Sequence, residues 1–166
     1  MDIYGNMQLV IKINIYIIYK GGETMETVKI YLSGGMGGLT VEEQTAWRNK
    51  FQNAIRYNRE PLKNPLFFSP PNFYSPAKPA EYKNEKEVME FDLYNLRKSD
   101  IIVVNFNAPN SIGTAMELML AKERHIPVIG LNDKGVELHP WLTECCTRIC
   151  NTFVELVDHV VDFYLK

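Results

Sequence analysis

The stretch "IIVVNFNAPNSIGTAMELMLAKERHIPVIGL", residues 101–131, joins two short apolar runs through a polar loop and an apolar helical segment. Continuous apolar runs rich in Ile and Val are typical of strands that are buried on both faces of a parallel sheet. Two parallel strands need a crossover connection between them, and a helix is its usual form. This stretch therefore predicts an α/β fold.

The same alternation extends through the rest of the chain. "VKIYLS" (28–33) predicts a strand that ends in the glycine-rich turn "GGMGGLT", where Thr40 can cap a helix over about 41–57. Further strands are predicted at 66–69 and, at an edge, 148–153, and further helices at 85–98, 139–146 and 153–166. This order predicts a doubly wound parallel sheet of about five strands with helices on both faces.

Helical periodicity also predicts which faces are buried. In the helix over about 41–57 the apolar positions recur at helical spacing, and they are Ala46, Trp47, Phe51, Ala54 and Ile55. The basic residues Arg48, Lys50 and Arg56 are predicted on its outer face. The C-terminal helix carries more apolar residues than one sheet face needs, which favours a homodimer or a higher homo-oligomer.

Length and composition limit the class of protein. A chain of 166 residues with 46% hydrophobic and 23% charged residues is an ordinary globular composition for one domain. The net charge of -2 gives no reason to expect a nucleic-acid polymer or a membrane surface as partner, so a small-molecule substrate is predicted. The cysteines Cys145, Cys146 and Cys150 are too few and too local for a disulfide framework, which favours the reduced cytoplasm, and no metal or organic cofactor is expected.

Residues 1–24 are predicted to lie outside the domain, as a leader translated from an upstream start or as a disordered extension. The apolar run within them is far shorter than a membrane-spanning helix and is interrupted by Lys12. The segment Lys20-Gly21-Gly22-Glu23 can be encoded by AAA-GGA-GGA-GAA, which contains a bacterial ribosome-binding sequence shortly before Met25. The predicted single domain therefore covers residues 25–166.

Ligands of doubly wound sheets bind outside the carboxyl ends of the strands. Three loops are expected there, at 33–39, after Ser69 and at 105–113. The second belongs to a segment with six of the nine prolines, residues 60–85, where Phe73, Tyr74 and Tyr82 could cover a flat ligand. The alternative is an ordinary surface loop packed on the core.

Two carboxylates stand among the apolar positions of their helices. Asp92 shares the inward stripe of Val88 or Met89, Leu93 and Leu96, and Glu117 lies among Met116, Leu118, Met119 and Leu120. Each could still reach solvent or bond a backbone amide, because buried carboxylates are rare unless paired. Both lie near the helix ends that face the strand carboxyl termini, which favours a joint function.

Paired acids of this kind are suited to cleavage of a bond at an anomeric carbon. One carboxylate can trap the oxocarbenium-like centre covalently while the other protonates the leaving group. Ser111, Gly113 and Thr114 open the helix of Glu117, so free backbone amides and hydroxyls are available there for a phosphate or a sugar hydroxyl. A tight turn without a ligand would explain the same glycine.

At these residues the sequence resembles the nucleoside 2-deoxyribosyltransferase superfamily, which includes the 2'-deoxynucleoside 5'-phosphate N-hydrolases. The resemblance rests on "KIYLSGGMGG", "FDLYNLRKSDIIVVNF" and "SIGTAMELMLAKERHIPVIGL". It implies a flavodoxin-like fold, a nucleophilic Glu117, an acid or base-positioning Asp92, and Tyr31 orienting the nucleophile. It also implies that a neighbouring subunit completes the site and that the turn from Gly34 to Gly38 borders the substrate, with Ser33, Gly34, Gly35 and Gly37 among the binding residues.

Details within the resemblance leave the substrate open. Thr114-Ala115 looks more like the transferases, whereas Ser111 stands where the transferases usually have an aspartate and the phosphate N-hydrolases a serine. A serine beside a helix N-terminus would accept a phosphate, and an aspartate would repel it. The predicted reaction is therefore N-glycosidic cleavage of a 2'-deoxynucleoside or its 5'-monophosphate, with transfer of the sugar to water or to another base. The alternative is a nucleotide-binding sensor without turnover.

Overall fold

The computed structural model describes residues 25–75 and 83–166 and confirms the predicted architecture. Five parallel strands form one sheet in the order β2-β1-β3-β4-β5, the order of flavodoxin-like doubly wound sheets. The strands are β1 (Thr27–Gly34), β2 (Asn64–Phe68), β3 (Ile101–Asn105), β4 (Val128–Leu131) and β5 (Arg148–Cys150). The helices are α1 (Val41–Asn58), α2 (Glu85–Arg97), α3 (Ile112–Glu123), α4 (Pro140–Cys145) and α5 (Phe153–Tyr164). The predicted leader, residues 1–24, lies outside the described residues.

The sheet separates two apolar layers. Helices α1 and α5 cover one face, where Phe51 and Leu156 pack with Ile30 and Leu32 of β1. Helices α2, α3 and α4 cover the other face, where Leu96, Leu118 and Leu142 pack with the alternate strand residues. β3 is buried along its whole length, as its continuous apolar run predicted. The alternation along β1 therefore directs Tyr31 toward α3 and its neighbours Ile30 and Leu32 toward α1.

Helix α1 begins where the sequence predicted, because Thr40 forms a full capping box with Glu43. Most of its predicted inward face is confirmed, because Trp47, Phe51, Ala54 and Ile55 are buried. Two predictions were wrong: the side chain of Arg48, predicted to face outward, is 0% exposed, and Ala46, predicted to face inward, is exposed. The fully buried stripe is Gln44, Arg48, Phe51 and Ile55, spaced by four, three and four. The apolar pattern found Phe51 and Ile55 of this stripe but not its two polar members.

Helix α5 leaves less surplus apolar surface than its sequence suggested. Leu156, Val157, Val160 and Val161 are all buried within this chain, and Val154 and Phe163 remain exposed. Both apolar stripes of the helix thus contribute to the core of the single chain, and the homo-oligomer stays a prediction. Across residues 25–75 and 83–166, no helix has the combination of length and apolar content that crossing a bilayer requires.

The packing of β4 against the loop after β3 can be tested at Gly130. An added Cβ there would lie 2.6 Å from Cε2 of Phe106, whose ring is buried between fixed neighbours. We expect Gly130→Ala to lower the free energy of unfolding by about 1–3 kcal/mol, since an overpacked core must shift. Urea unfolding measures this. Gly37→Ala is the control because its added Cβ meets nothing within 4 Å, and equal losses in both variants would contradict the packing described.

Candidate active site

A cleft opens at the carboxyl edge of the sheet, where all three predicted loops meet. It lies between the glycine-rich turn after β1, the segment after β2 and the N-terminal ends of α2 and α3. This is the ligand position expected for a doubly wound sheet. The residues that line it are Gly34, Met36, Gly37, Tyr74, Glu85, Val88, Asp92, Ser111, Gly113, Thr114 and Glu117.

The carboxylate of Glu117 is fixed by two hydroxyl groups from one strand. Tyr31 Oη donates to Oε1 at 2.7 Å, and Ser33 Oγ donates to Oε2 at 2.6 Å. Both donors come from the same face of β1 because residues two apart in a strand point the same way. Each carboxylate oxygen is therefore held by one charge-assisted hydrogen bond and keeps a free lone pair.

Aromatic packing fixes the direction of the Tyr31 hydroxyl. The Tyr31 ring is fully buried and stacks on Phe68 of β2, with ring centroids 5.2 Å apart. Phe68 in turn stacks on Phe73 at 4.9 Å. Burial, and then the charge of Glu117, raise the pKa of Tyr31 well above its ordinary value. Tyr31 is consequently a protonated hydrogen-bond donor across the physiological pH range.

Asp92 is the second acid in the cleft, and its surroundings favour the neutral form. It lies four residues after Val88 and four before Leu96 on α2, so helical spacing turns all three the same way. The side chain is buried, and its Oδ1 atom has no hydrogen-bond partner among the described residues. Burial, and secondly the charge of Glu117, raise the pKa of Asp92 to about 8. A pKa of about 8 favours the protonated form of Asp92 at neutral pH.

Glu117 is partly buried, and its neighbours stabilise the charged form. Burial raises the pKa of Glu117 above its ordinary value, and the Ser33 and Tyr31 hydroxyls and the charge of Arg48 offset part of that rise. Asp92 has no such donors, and an ionised Glu117 beside it raises its pKa further. Two neighbouring acids in different surroundings titrate one after the other. Within this pair Glu117 therefore loses its proton first and Asp92 second.

The glycine-rich turn brings backbone to the cleft at places where a side chain would not fit. Gly34 has a φ of 150°, and an added Cβ would lie 3.1 Å from the Asn105 carbonyl oxygen. Gly35 packs against Ala108, where an added Cβ would lie 2.6 Å away. Gly34 and Gly37 line the cleft, as expected, whereas Gly35 instead joins the turn to the loop after β3.

The helix that carries Glu117 begins at the cleft. Ser111 is its N-cap, and its hydroxyl accepts from the Thr114 backbone N–H at 3.3 Å. Ser111, Gly113 and Thr114 all line the cleft together with Glu117. The first turn of a helix presents backbone N–H groups and a partial positive charge, so this wall can bind an anion or a sugar hydroxyl.

The structure separates the predicted site residues into two groups. Asp92, Glu117, Gly34, Gly37, Ser111, Gly113 and Thr114 border the cleft itself. Tyr31 and Ser33 lie behind Glu117 and bond it, so Ser33, predicted to bind substrate, instead holds the carboxylate. Of the aromatic residues predicted to cover a ligand, Tyr74 lines the cleft, Phe73 packs on Phe68, and Tyr82 falls outside the described residues.

Three cleft residues were not named as candidates by the sequence analysis, and they are Met36, Glu85 and Val88. Met36 could have been found, because it lies inside the glycine-rich turn. No sequence pattern at Glu85 or Val88 predicts a binding role, since only the position of the α2 N-terminus brings these residues to the cleft. Among residues 25–75 and 83–166 no group of three or more His, Cys, Asp or Glu side chains is arranged to hold a metal ion.

Comparisons with known proteins bear on the fold. No protein-family model and no curated protein matches the sequence. A conserved protein from Enterococcus faecalis V583 is similar in structure, with a TM-score of 0.63, 16% sequence identity, and coverage of 81% of this chain and 97% of that one. A 2-deoxyribosyltransferase from Bacillus psychrosaccharolyticus is similar with a TM-score of 0.61, 18% identity, and coverage of 79% of this chain and 91% of that one. At these identities the likeness shows that the chain shares one fold with both proteins along most of its length.

Proposed function

We propose that this protein is an enzyme that cleaves the N-glycosidic bond of a 2'-deoxynucleoside or its 5'-monophosphate. The observation that carries the proposal is the pair of acids in one cleft, with Glu117 held by two hydroxyls and Asp92 buried without a hydrogen-bond partner for Oδ1 among the described residues. Such a pair supplies a nucleophile and an acid side by side. The shared fold with a 2-deoxyribosyltransferase supports the same assignment to the nucleoside 2-deoxyribosyltransferase superfamily. The three free cysteines support a reducing cytoplasm as its compartment.

In the first step, a carboxylate oxygen of Glu117 attacks the anomeric carbon of the sugar. The bond from that carbon to the base nitrogen breaks, and its electron pair leaves with the base. Asp92 donates its proton to the departing base, so that the base leaves neutral and Asp92 becomes ionised. The result is a glutamyl-deoxyribosyl ester and a free base. Tyr31 and Ser33 hold the attacking carboxylate in a single orientation throughout.

In the second step, an acceptor attacks the same carbon and the ester bond breaks. Ionised Asp92 takes the proton of the acceptor, which is water in hydrolysis and a second nucleobase in transfer. Glu117 is released as a carboxylate and Asp92 is again protonated, so the cycle closes without any other reagent. Tyr74 belongs to the segment after β2 that borders the cleft, and that segment is the candidate for excluding water.

The charges around the cleft bear on whether the substrate is phosphorylated. Ser111 and the N-terminus of α3 favour a phosphate group at this wall. The carboxylates of Glu117 and Glu85 line the same cleft, and ionised carboxylates repel a phosphate. Both substrate classes therefore belong in the test of this function.

The experiment incubates purified protein with each deoxynucleoside and each deoxynucleoside 5'-monophosphate, with and without a second free base. Liquid chromatography follows the released and the exchanged bases. We expect free or exchanged base from at least one substrate class. Free base from monophosphates alone identifies a hydrolase and supports Ser111 as a phosphate ligand, whereas exchange on unphosphorylated nucleosides identifies a transferase. Binding of these compounds without any turnover would overturn the proposal in favour of a nucleotide sensor.

The variant Glu117→Gln tests the nucleophile. An amide cannot form the glycosyl ester, so we expect product formation to be lost while substrate binding, measured by calorimetry, is largely kept. Glu123→Gln is the matched control because Glu123 is an exposed glutamate near the other end of α3. Turnover by Glu117→Gln at the rate of the control would remove Glu117 from the mechanism.

The dependence of turnover on pH tests the protonated state of Asp92. The pKa of Asp92 is raised to about 8, so its proton is present below that pH and is lost above it. We therefore expect turnover to fall as the pH rises through about 8, and Asp92→Ala to lower turnover by roughly 10²- to 10⁴-fold.

The control for Asp92→Ala is Glu90→Ala, an exposed carboxylate on the same helix. The alkaline fall in turnover should be present in Glu90→Ala and absent in Asp92→Ala. A wild-type rate in Asp92→Ala, or an unchanged alkaline fall in it, would show that Asp92 is not the acid.

A further inference from the structure

A buried arginine lies behind the cleft on the opposite layer of the sheet. The side chain of Arg48 is 0% exposed, and within the described part of the chain its guanidinium forms no direct ion pair. Within residues 25–75 and 83–166 its N–H groups donate to backbone carbonyl oxygens alone. A buried cation without a contacting anion is costly, so this arrangement requires a physical reason.

The guanidinium of Arg48 donates hydrogen bonds to two backbone carbonyl oxygens at the end of β1. Nε donates to the Leu32 carbonyl oxygen at 3.1 Å, and Nη2 donates to the Gly34 carbonyl oxygen at 3.0 Å. Nη1 donates to the carbonyl oxygen of Gln44 on its own helix. The residue between the two strand carbonyls is Ser33, whose hydroxyl holds Oε2 of Glu117. Arg48 thus fixes the backbone on both sides of a group that contacts the proposed nucleophile.

The charge of Arg48 also acts on the acids of the cleft. Burial lowers the pKa of Arg48 to about 10, which leaves the guanidinium charged at neutral pH. Its charge lowers the pKa of both Glu117 and Asp92. The groups that face Glu117 are Tyr31 from β1 and Asp92 from α2, with Glu85 on the cleft wall and Arg48 behind β1. Among these four, Arg48 alone carries a positive charge.

We infer that Arg48 is a positioning residue for Glu117, acting through the end of β1 and through its buried charge. The inference rests on the proposed function in that it assigns Glu117 the role of nucleophile. The guanidinium orients Ser33 toward the carboxylate, and its charge stabilises the ionised form that attacks the sugar. Arg48 itself contacts backbone and lies outside the set of residues that line the cleft. A purely structural arginine would support the turn without affecting the ionisation of Glu117.

The test measures the titration of Glu117 directly, without substrate, by NMR of protein with ¹³C-labelled carboxyl groups. The resonances are assigned with Glu117→Gln and Asp92→Asn. In Arg48→Met, which keeps an unbranched side chain but removes its charge, we expect the pKa of Glu117 to rise by about one or more, a tenfold or larger change in its proton affinity. Arg48→Lys keeps the charge, so the pKa of Glu117 should shift by less than about half of its shift in Arg48→Met.

Arg56→Met is the control, because Arg56 is an exposed arginine on the same helix. It should leave the pKa of Glu117 unchanged. An unchanged Glu117 pKa in folded Arg48→Met would overturn the inference and reduce Arg48 to a structural role. Since this titration needs no turnover, its result stands whether or not the proposed reaction is found.

A second measurement keeps the inference testable if Arg48→Met does not fold. The variants Arg48→Lys, Ser33→Ala and the double variant form a cycle in which the pKa of Glu117 is again the readout. If Arg48 acts partly through Ser33, the two single effects are larger in sum than the effect of the double variant. Strict additivity of the two single effects would contradict the coupling through β1.

Discussion

Everything in this cleft depends on the burial of one carboxylate against one strand. Glu117 packs against β1 and is partly removed from water. A carboxylate in such a place is stable as an anion only if hydrogen-bond donors replace the lost hydration. Tyr31 and Ser33 provide that replacement at 2.7 and 2.6 Å. Their positions follow from the pleat of β1 and from the stacking of Tyr31 on Phe68. The fold itself thus sets where Glu117 points and how strongly it is held.

The same burial makes the two acids of the cleft unlike each other. Burial and the charge of Glu117 raise the pKa of Asp92 to about 8, and no hydroxyl of the described residues donates to it, whereas Glu117 has donors on both oxygens. Cleavage of a glycosidic bond by a nucleophile needs one ionised acid that attacks the sugar and one protonated acid that donates to the leaving group. Arg48 extends the arrangement through the sheet, because its buried charge offsets part of the cost of ionising Glu117. Ionisation in this site is therefore decided by three layers of the fold together: α1, β1 and the helices of the opposite face.

Much of this was predictable from the sequence, for identifiable reasons. The buried runs at 101–106 and 126–131 and the capping residue Thr40 gave strong local signals, and the five-stranded parallel sheet is confirmed. Asp92 and Glu117 were predictable as inward acids because each interrupts an apolar stripe. Arg48 was predicted on the wrong face, since an arginine in a helix is usually solvated and its burial depends on strand carbonyls sixteen and fourteen residues away. Ser33 could be placed near the site from its turn, but its hydrogen bond to Glu117 depends on the docking of α3.

Mass spectrometry of acid-quenched reactions can detect a covalent bond between the carboxylate of Glu117 and the sugar. Protein is mixed with a substrate that it turns over, quenched within the first turnover, digested and analysed peptide by peptide. A deoxyribosyl or deoxyribosyl-phosphate adduct on the peptide that contains Glu117, formed before free sugar accumulates, is the predicted result. Rapid formation of free base and free sugar with no adduct at any time, or an adduct located on a different residue, would contradict a role for Glu117 as nucleophile.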